Sequence, residues 1–280
     1  IDVIGLAYQA ARDPVLWPRA LKSLADAVGG SGALIGIVDT HRRETASIDS
    51  GLLNDARRSA YKSIYFHINP RSRYAAKAEP GVIFHDRAVG DDRALERNAY
   101  YAEFLRQTGN RYFIAANLEN DGARRVNLTV QRQRHAGHVE RREIALFHQA
   151  LPHFRAAFAL ARELGGLREQ ERMRASAPTG AAATALVDAQ GAILQLSTGA
   201  EETLAEAGFL DPTAHAIAPP ANGAAFLRAV ADCARLAEGS IEAAPPAPME
   251  WNTPAGAWRV HAAPYVADYL IWLRRPAALL

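Results

Sequence analysis

The architecture of the first half of this chain follows from residues 112–132, which read YFIAANLENDGARRVNLTVQR. Two largely apolar runs, Tyr112–Leu118 and Arg124–Arg132, flank an Asn-Asp-Gly turn. An Asp-Gly turn between such runs is a strong signal of a β-hairpin. We therefore expect two antiparallel strands here, at the centre of the first domain's sheet.

Each strand of this hairpin has two unlike faces, because successive side chains point to opposite sides of a strand. On the second strand, a typical core face consists of Val126, Leu128 and Val130. The opposite face carries three hydrogen-bonding side chains: Asn127, Thr129 and Gln131. Such a face opposite helices rich in Tyr and Phe is typical of an apolar pocket with a few orienting polar groups. The alternative is a half-exposed sheet whose polar face meets water.

Helical patterns surround the hairpin. Apolar spacing and break signals predict helices over residues 2–11, from about 17 to 28, 54–67 and 91–107, and further strands over 33–39, 44–49 and 81–84. The longest helical pattern is Glu140–Arg174, in which Pro152 is expected to introduce a kink. This helix either packs against a second copy of the chain or closes the core of the first domain.

A second, smaller unit follows a linker at residues 175–180. Its predicted strands are 183–187, 192–196, 257–262 and 269–274, and its predicted helices are 200–207 and 224–237. This layout is typical of a small α+β sensor module. The chain thus divides into residues 1–139, a connecting and dimerisation helix over 140–175, and residues 180–280. The face around Trp251, Trp258 and Trp272 is either core or pocket.

Composition limits the classes of function. The 280 residues are 49% hydrophobic and 22% charged with a net charge of +2, which is typical of a globular protein with a sizeable core. No apolar run is long enough to span a membrane. The single Cys233 excludes an intramolecular disulfide and fits a reducing cytoplasm, where we expect the protein to be located. The sequence contains no run of five or six basic residues, so these 280 residues are not expected to bind DNA themselves.

The sequence shows no nucleophile elbow, no complete set of metal ligands and no acid–base pair. Residues 29–33, GGSGA, do not form a nucleophile elbow, because the fifth position is Ala and a strand follows rather than precedes them. His135 and His138 have the spacing of two metal ligands, but they lack a Glu partner and lie in a segment whose composition predicts a loop. No carboxylate pair stands out as an acid–base dyad. We therefore expect no enzyme activity, no metal and no cofactor.

Several local patterns and their order resemble LuxR-type transcriptional regulators. They are DPVLWP at residues 13–18, the helix end at Tyr65, Ile68, Asn69 and Pro70, GVIF at 81–84 with Asp86, Tyr101 with Phe104, Leu105 and Gly109, and LPHFRAA at 151–157. The resemblance covers about residues 3–175. It implies a GAF-like or autoinducer-binding-like αβα sandwich with an antiparallel sheet, followed by a smaller PAS-like α+β domain. It also implies a homodimer and a DNA-binding helix-turn-helix outside these 280 residues.

One departure from the family bears on the ligand. Acyl-homoserine lactone receptors of this family carry Asp where this chain has Asn69, and their ligand-contacting Trp has no counterpart beside Tyr61 and Tyr65. Asn accepts hydrogen bonds but brings no charge and adds two donors. The resemblance therefore implies another small, partly apolar ligand, aromatic in character, rather than the lactone.

The expected ligand site combines nine residues. Its aromatic walls are Tyr61, Tyr65, Phe84, Phe104 and Phe113, and its orienting polar groups are Asn69, Asn127, Thr129 and Gln131. Two other functions remain open from the residues alone. One alternative is a ligand-free scaffold for dimerisation or protein interaction. The other is the sensory half of a signalling enzyme.

Overall fold

A computed structural model describes residues 2–40, 44–211, 213, 215–218, 223–240, 242, 244–253, 256–269 and 273–280. The chain forms two compact units, Ile1–Arg162 and Glu163–Leu280. Both combine helices with antiparallel sheets, which confirms the predicted α+β class. The division into segments 1–139, 140–175 and 180–280 stays a prediction.

The first unit contains a five-stranded antiparallel sheet in the order β2-β1-β5-β4-β3. The strands are β1 Gly32–Asp39, β2 Glu44–Asp49, β3 Ile83–His85, β4 Asn110–Asn120 and β5 Arg124–Gln133. The predicted hairpin is confirmed as β4–β5, with Ala115 opposite Thr129. The Asp121 carboxylate stabilises its turn by accepting hydrogen bonds from the backbone N–H groups of Ala123 at 2.9 Å and Arg124 at 2.6 Å.

The helices of the first unit partly differ from the prediction. The α-helices are Val3–Arg12, Trp17–Ala27, Asp55–Ala60, Pro70–Lys77, Asp86–Val89, Asp92–Glu96 and the start of the 36-residue Arg141–Ser176. The helix Asp55–Ala60 is continued by the π-helical turn Tyr61–Tyr65 and by Phe66–Ile68. A second π-helical turn, Tyr100–Leu105, is continued by Arg106–Thr108. The predicted helix 91–107 is therefore wrong as one element. Asn98 interrupts it, because its side chain accepts a hydrogen bond from the Tyr100 N–H at 2.9 Å and starts a new helix.

One face of the sheet carries the apolar core of the first unit. Val126, Leu128 and Val130 on β5 are fully buried, and the helix Trp17–Ala27 contacts β1 and β5. The Trp17 ring is fully buried, with centroid distances of 6.4 Å to Phe154 and 6.5 Å to Phe158 of the long helix. The predicted apolar face is thus confirmed, and part of the long helix closes this core. The helix is continuous through Pro152.

The described residues of the second unit form a four-stranded sheet in the order β12-β13-β6-β7, two two-stranded hairpins and two helices besides the end of the long helix Arg141–Ser176. Its elements are β6 Ala185–Val187, β7 Ile193–Leu196, helix Ala200–Glu206, β8 Leu210–Asp211, β9 Ala216–Ile217, helix Gly223–Glu238, β10 Met249–Thr253, β11 Gly256–Val260, β12 Ala263–Tyr269 and β13 Leu273–Leu279. The predicted last strand, 269–274, is wrong: Tyr269 ends β12 and Leu273 begins its antiparallel partner β13.

The tryptophan face of the second unit belongs to its core. Trp251 is 7% exposed, and its ring centroid lies 5.5 Å from that of Phe209 and 5.8 Å from that of Phe226. Trp258 packs against the same cluster, in which Cys233 is fully buried. Trp272 lies outside the described residues.

Candidate functional site

A cavity of about 130 Å³ lies in the first unit, between the mixed face of the sheet and the helical segments 55–68, 70–77 and 100–108. It is lined by eight of the nine residues that the sequence singled out: Tyr61, Asn69, Phe84, Phe104, Phe113, Asn127, Thr129 and Gln131. The sheet's second face is therefore covered by helices, and the cavity lies between the two layers.

Tyr65 is the ninth predicted residue, and the structure does not bring it into the cavity. Its hydroxyl donates a hydrogen bond to the Glu103 carboxylate at 3.0 Å in an exposed position, and this bond is the main reason that the pKa of Tyr65 is raised. The π-helical geometry of residues 61–65 changes the angular spacing along this helix. Tyr61 faces the cavity and Tyr65 does not.

The aromatic wall of the cavity is a contiguous cluster. The ring centroids of Tyr61 and Phe104 are 5.6 Å apart, and those of Tyr100 and Phe104 are stacked at 5.6 Å. Burial raises the pKa of Tyr61 above its ordinary value, so its phenol stays neutral. Its oxygen accepts a hydrogen bond from Asn69 Nδ2 at 3.0 Å, which leaves the Tyr61 O–H free to donate.

Both ends of the Asn69 side-chain amide form hydrogen bonds within the protein. Its Oδ1 accepts the backbone N–H of Arg71 at 2.9 Å and thereby caps the helix Pro70–Lys77. The sequence indicated that this carbonyl oxygen would accept from a ligand. In the structure, one of its two lone pairs is used by the cap and its amide is used by Tyr61.

A row of polar side chains runs along β5 on the cavity side: Arg125, Asn127, Thr129 and Gln131. The Thr129 hydroxyl donates to Asn127 Oδ1, and Asn127 Nδ2 donates to Asn117 Oδ1 at 3.3 Å. Gln131 Oε1 accepts from Arg71 Nη1 at 2.9 Å. Among the described residues, no hydrogen bond uses the Gln131 N–H₂ group, so this donor is available to a molecule in the cavity.

Arg71 joins the cavity to a buried ionic network. Four of its five N–H groups donate: to Tyr101 Oη at 2.8 Å, to Gln131, to Asp86 Oδ1 at 3.3 Å and to the Arg111 carbonyl at 2.7 Å. The guanidinium carbon also lies 4.1 Å from the centroid of the Phe113 ring. This cation is held on every side and forms a rigid part of the cavity wall.

Asp86 is the negative centre of that network and is completely buried. Its Oδ1 also accepts from Arg111 Nη1 at 3.4 Å and from the Tyr101 hydroxyl at 3.1 Å, while Oδ2 accepts the Phe113 N–H at 2.9 Å. The carboxylate therefore fixes Arg71, Arg111 and the start of β4 at once. Burial also raises the pKa of the Tyr101 hydroxyl, which keeps it a donor.

Arg71 and Arg125 also line the cavity, although neither was among the predicted site residues. Arg125 was recognisable, since it precedes Asn127 by two positions and so shares its face of β5. Arg71 was not, because its role depends on Asp86 and Gln131, which are 15 and 60 residues away in the chain.

The structure gives no sign of a metal site or a membrane span where it describes the chain. Within those residues, no group of three or more His, Cys, Asp or Glu side chains is arranged to hold a metal ion. Likewise, no described helix is long and apolar enough to cross a bilayer.

Comparisons with known proteins give likenesses in structure alone. No protein-family model matches the chain, and no curated protein matches its sequence. The LBD domain of VqsR from Pseudomonas aeruginosa is similar at 17% identity and a TM-score of 0.45, over 57% of this chain and 94% of that one. CepR2, an N-acylhomoserine lactone-dependent LuxR family transcription factor from Burkholderia cenocepacia, is similar at 17% identity and a TM-score of 0.42, over 56% and 92%. Escherichia coli SdiA follows at 15% identity and a TM-score of 0.40, over 60% and 78%.

Proposed function

We propose that the first unit binds a small, partly apolar molecule in its cavity, and that the chain is the sensory region of a LuxR-type transcriptional regulator. The observation that supports the proposal is the cavity itself. It keeps Thr129, Gln131 and other hydrogen-bonding side chains buried beside aromatic rings, although a protein interior is normally closely packed. A scaffold without a ligand gains nothing from such a space.

In this proposal the GAF-like domain over residues 1–139 holds the ligand, and the helix over 140–175 carries the signal and pairs with a second copy. The PAS-like domain over 180–280 follows, and DNA is contacted in the cytoplasm by a domain outside these residues. A ligand shifts a regulator only if it binds two arrangements with different affinity. The ligand therefore stabilises one arrangement of the residues that enclose the cavity, and with it one setting of the long helix.

Thermal denaturation of the purified chain with a library of small metabolites, including acyl lactones and aromatic acids, tests the proposal. A ligand that binds only the folded state stabilises it by about 2.7 kcal/mol at a hundredfold excess over Kd. We expect at least one compound to give a saturable rise in Tm. A library in which no compound does so contradicts the binding role.

Gly36→Leu supplies the matched variant for this experiment. Gly36 lines the cavity, and a Cβ placed on it would meet only Leu34 Cδ1, at an ordinary 3.5 Å. The leucine therefore extends into the cavity without displacing the backbone, and we expect it to abolish the rise in Tm. Gly166→Leu adds the same side chain in the second unit, where no atom lies within 4 Å of the new Cβ, and we expect it to leave the rise unchanged.

A further inference from the structure

Arg125 is a buried cation on the cavity wall. The residue is 9% exposed, and its Nη2 donates to Ser72 Oγ at 3.0 Å. Its Nε is buried without any hydrogen-bond partner. No carboxylate pairs with Arg125 in the part of the chain that the structure describes. A guanidinium removed from water without a counter-charge destabilises the folded state, so its place here calls for a partner.

The other cations around the cavity do not share this feature. Arg71 has Asp86 at 3.3 Å, and Arg58 has Asp49 at 2.6 Å. Lys62 is exposed to water. No acidic side chain appears among the described residues that line the cavity. The surplus positive charge of the cavity therefore lies at Arg125.

The residues opposite Arg125 on the neighbouring strands carry no negative charge that would balance its guanidinium. Its cross-strand partners are Val38 on β1 and Asn120 on β4, and the Asn120 amide donates to the Ala78 carbonyl at 3.0 Å. Burial lowers the pKa of Arg125, and the nearby Tyr61 acts in the opposite direction. The O–H of that neutral phenol is free to donate, and both Tyr61 and Arg125 line the cavity, so both offer donors to a molecule in it.

We propose that the ligand is a carboxylate whose anionic group pairs with Arg125 and accepts from the Tyr61 hydroxyl. Its apolar body lies against the aromatic cluster that includes Phe104. The size of the cavity suits this body: an engineered cavity of about 150 Å³ binds benzene, so about 130 Å³ takes one ring or a short alkyl chain. This inference rests on the proposed sensing function and names the chemical class of its ligand.

Two pairs of probes test the charge directly: phenylacetate with phenylacetamide, and hexanoate with hexanamide. Within each pair the apolar body is constant, while the amide loses the negative charge and replaces one acceptor oxygen by an N–H₂ donor. Hydrogen bonds to charged groups are the stronger ones, so we expect one acid to bind about 10- to 100-fold more tightly than its amide in isothermal titration calorimetry at pH 7. Arg125→Gln should abolish this preference.

Arg124→Gln is the matched control. It changes the same residue type at the adjacent position, whose side chain lies outside the cavity lining and pairs with Glu119 at 3.2 Å. The preference for the acid should survive this substitution. Loss of the preference in both variants would overturn the assignment to Arg125.

A second measurement does not need a probe. Arg125→Met removes a buried charge without a partner and should raise the Tm of the ligand-free chain, whereas Arg71→Met breaks the pairing with Asp86 and should lower it. A fall in Tm for Arg125→Met would show that the folded protein already neutralises this cation, and would overturn the proposal.

The failures of the two proposals are distinguishable. Equal binding of acid and amide, or a library whose only ligands are uncharged, overturns the carboxylate and leaves the sensing function in place. If neither the probes nor any library compound binds, both proposals are contradicted.

Discussion

Replacement of Asp86 by Asn is expected to lower the free energy of unfolding by about 3–5 kcal/mol, the range measured when one partner of a buried ion pair is removed. Asp86 is completely buried, and its carboxylate accepts from Arg71, Arg111, Tyr101 and the Phe113 N–H. The neutral amide leaves two guanidinium groups, with side-chain exposures of 6% and 2%, short of negative charge. It also turns an N–H₂ group towards donors. Urea denaturation followed by circular dichroism measures the loss.

Glu96→Gln is the control for this experiment. Glu96 also pairs with Arg111, at 3.5 Å, but its side chain is 47% exposed, and exposed ion pairs contribute about 0–1 kcal/mol. We expect a correspondingly small change. A loss below about 1 kcal/mol for Asp86→Asn, similar to that of Glu96→Gln, would contradict the role of Asp86 as the centre of the network.

Truncation of Trp17 to Ala is expected to cost a further large amount of stability, about 3–5 kcal/mol. The indole extends from the first residue of the helix Trp17–Ala27, is fully buried and packs against the rings of Phe154 and Phe158. Its removal leaves a large void that rigid neighbours cannot close. Urea denaturation of the variant measures this effect as well.

Val15→Ala, two positions earlier, shows what the same region tolerates. Val15 is 82% exposed, and exposed sites away from special features usually change stability by less than about 0.5 kcal/mol. If Trp17→Ala were as mild as Val15→Ala, the packing of the long helix on this face of the sheet would be wrong.

The central hairpin was predictable because its signals are local. The Asp-Gly turn and the alternation of β5 need no knowledge of the rest of the chain. They were sufficient to place Asn127, Thr129 and Gln131 on one face, and the structure puts all three on the cavity wall.

The burial of Arg71 and of Arg125 depends on distant parts of the chain. Arg71 reads as an exposed helix residue, and only its bonds to Asp86 and Tyr101 explain its burial. The alternation of β5 was sufficient to place Arg125 on the face of Asn127, but not to predict that its side chain is buried. A charged residue at the start of a strand normally reaches water, and nothing nearby in the sequence signals that a helix covers it.

Tyr65 is the predicted aromatic residue that does not line the cavity. Regular 3.6-residue spacing puts Tyr61 and Tyr65 on one face of a helix, since they are four positions apart. The π-helical turn over Tyr61–Tyr65 changes that spacing, and a single sequence offers no local signal for such a turn. Both tyrosine rings pack against Phe104, at centroid distances of 5.6 Å and 5.0 Å, but only Tyr61 lines the cavity, and a role of Tyr65 in ligand binding stays a prediction.

The most direct test of the account is calorimetric titration of the wild-type chain and Gly36→Leu with the library compound that gives the largest rise in Tm. We expect saturable binding of one molecule per chain to the wild type and no measurable heat for Gly36→Leu, whose side chain occupies the cavity. Equal affinity of the two proteins would place the ligand elsewhere and contradict the assignment of this cavity as the sensory site.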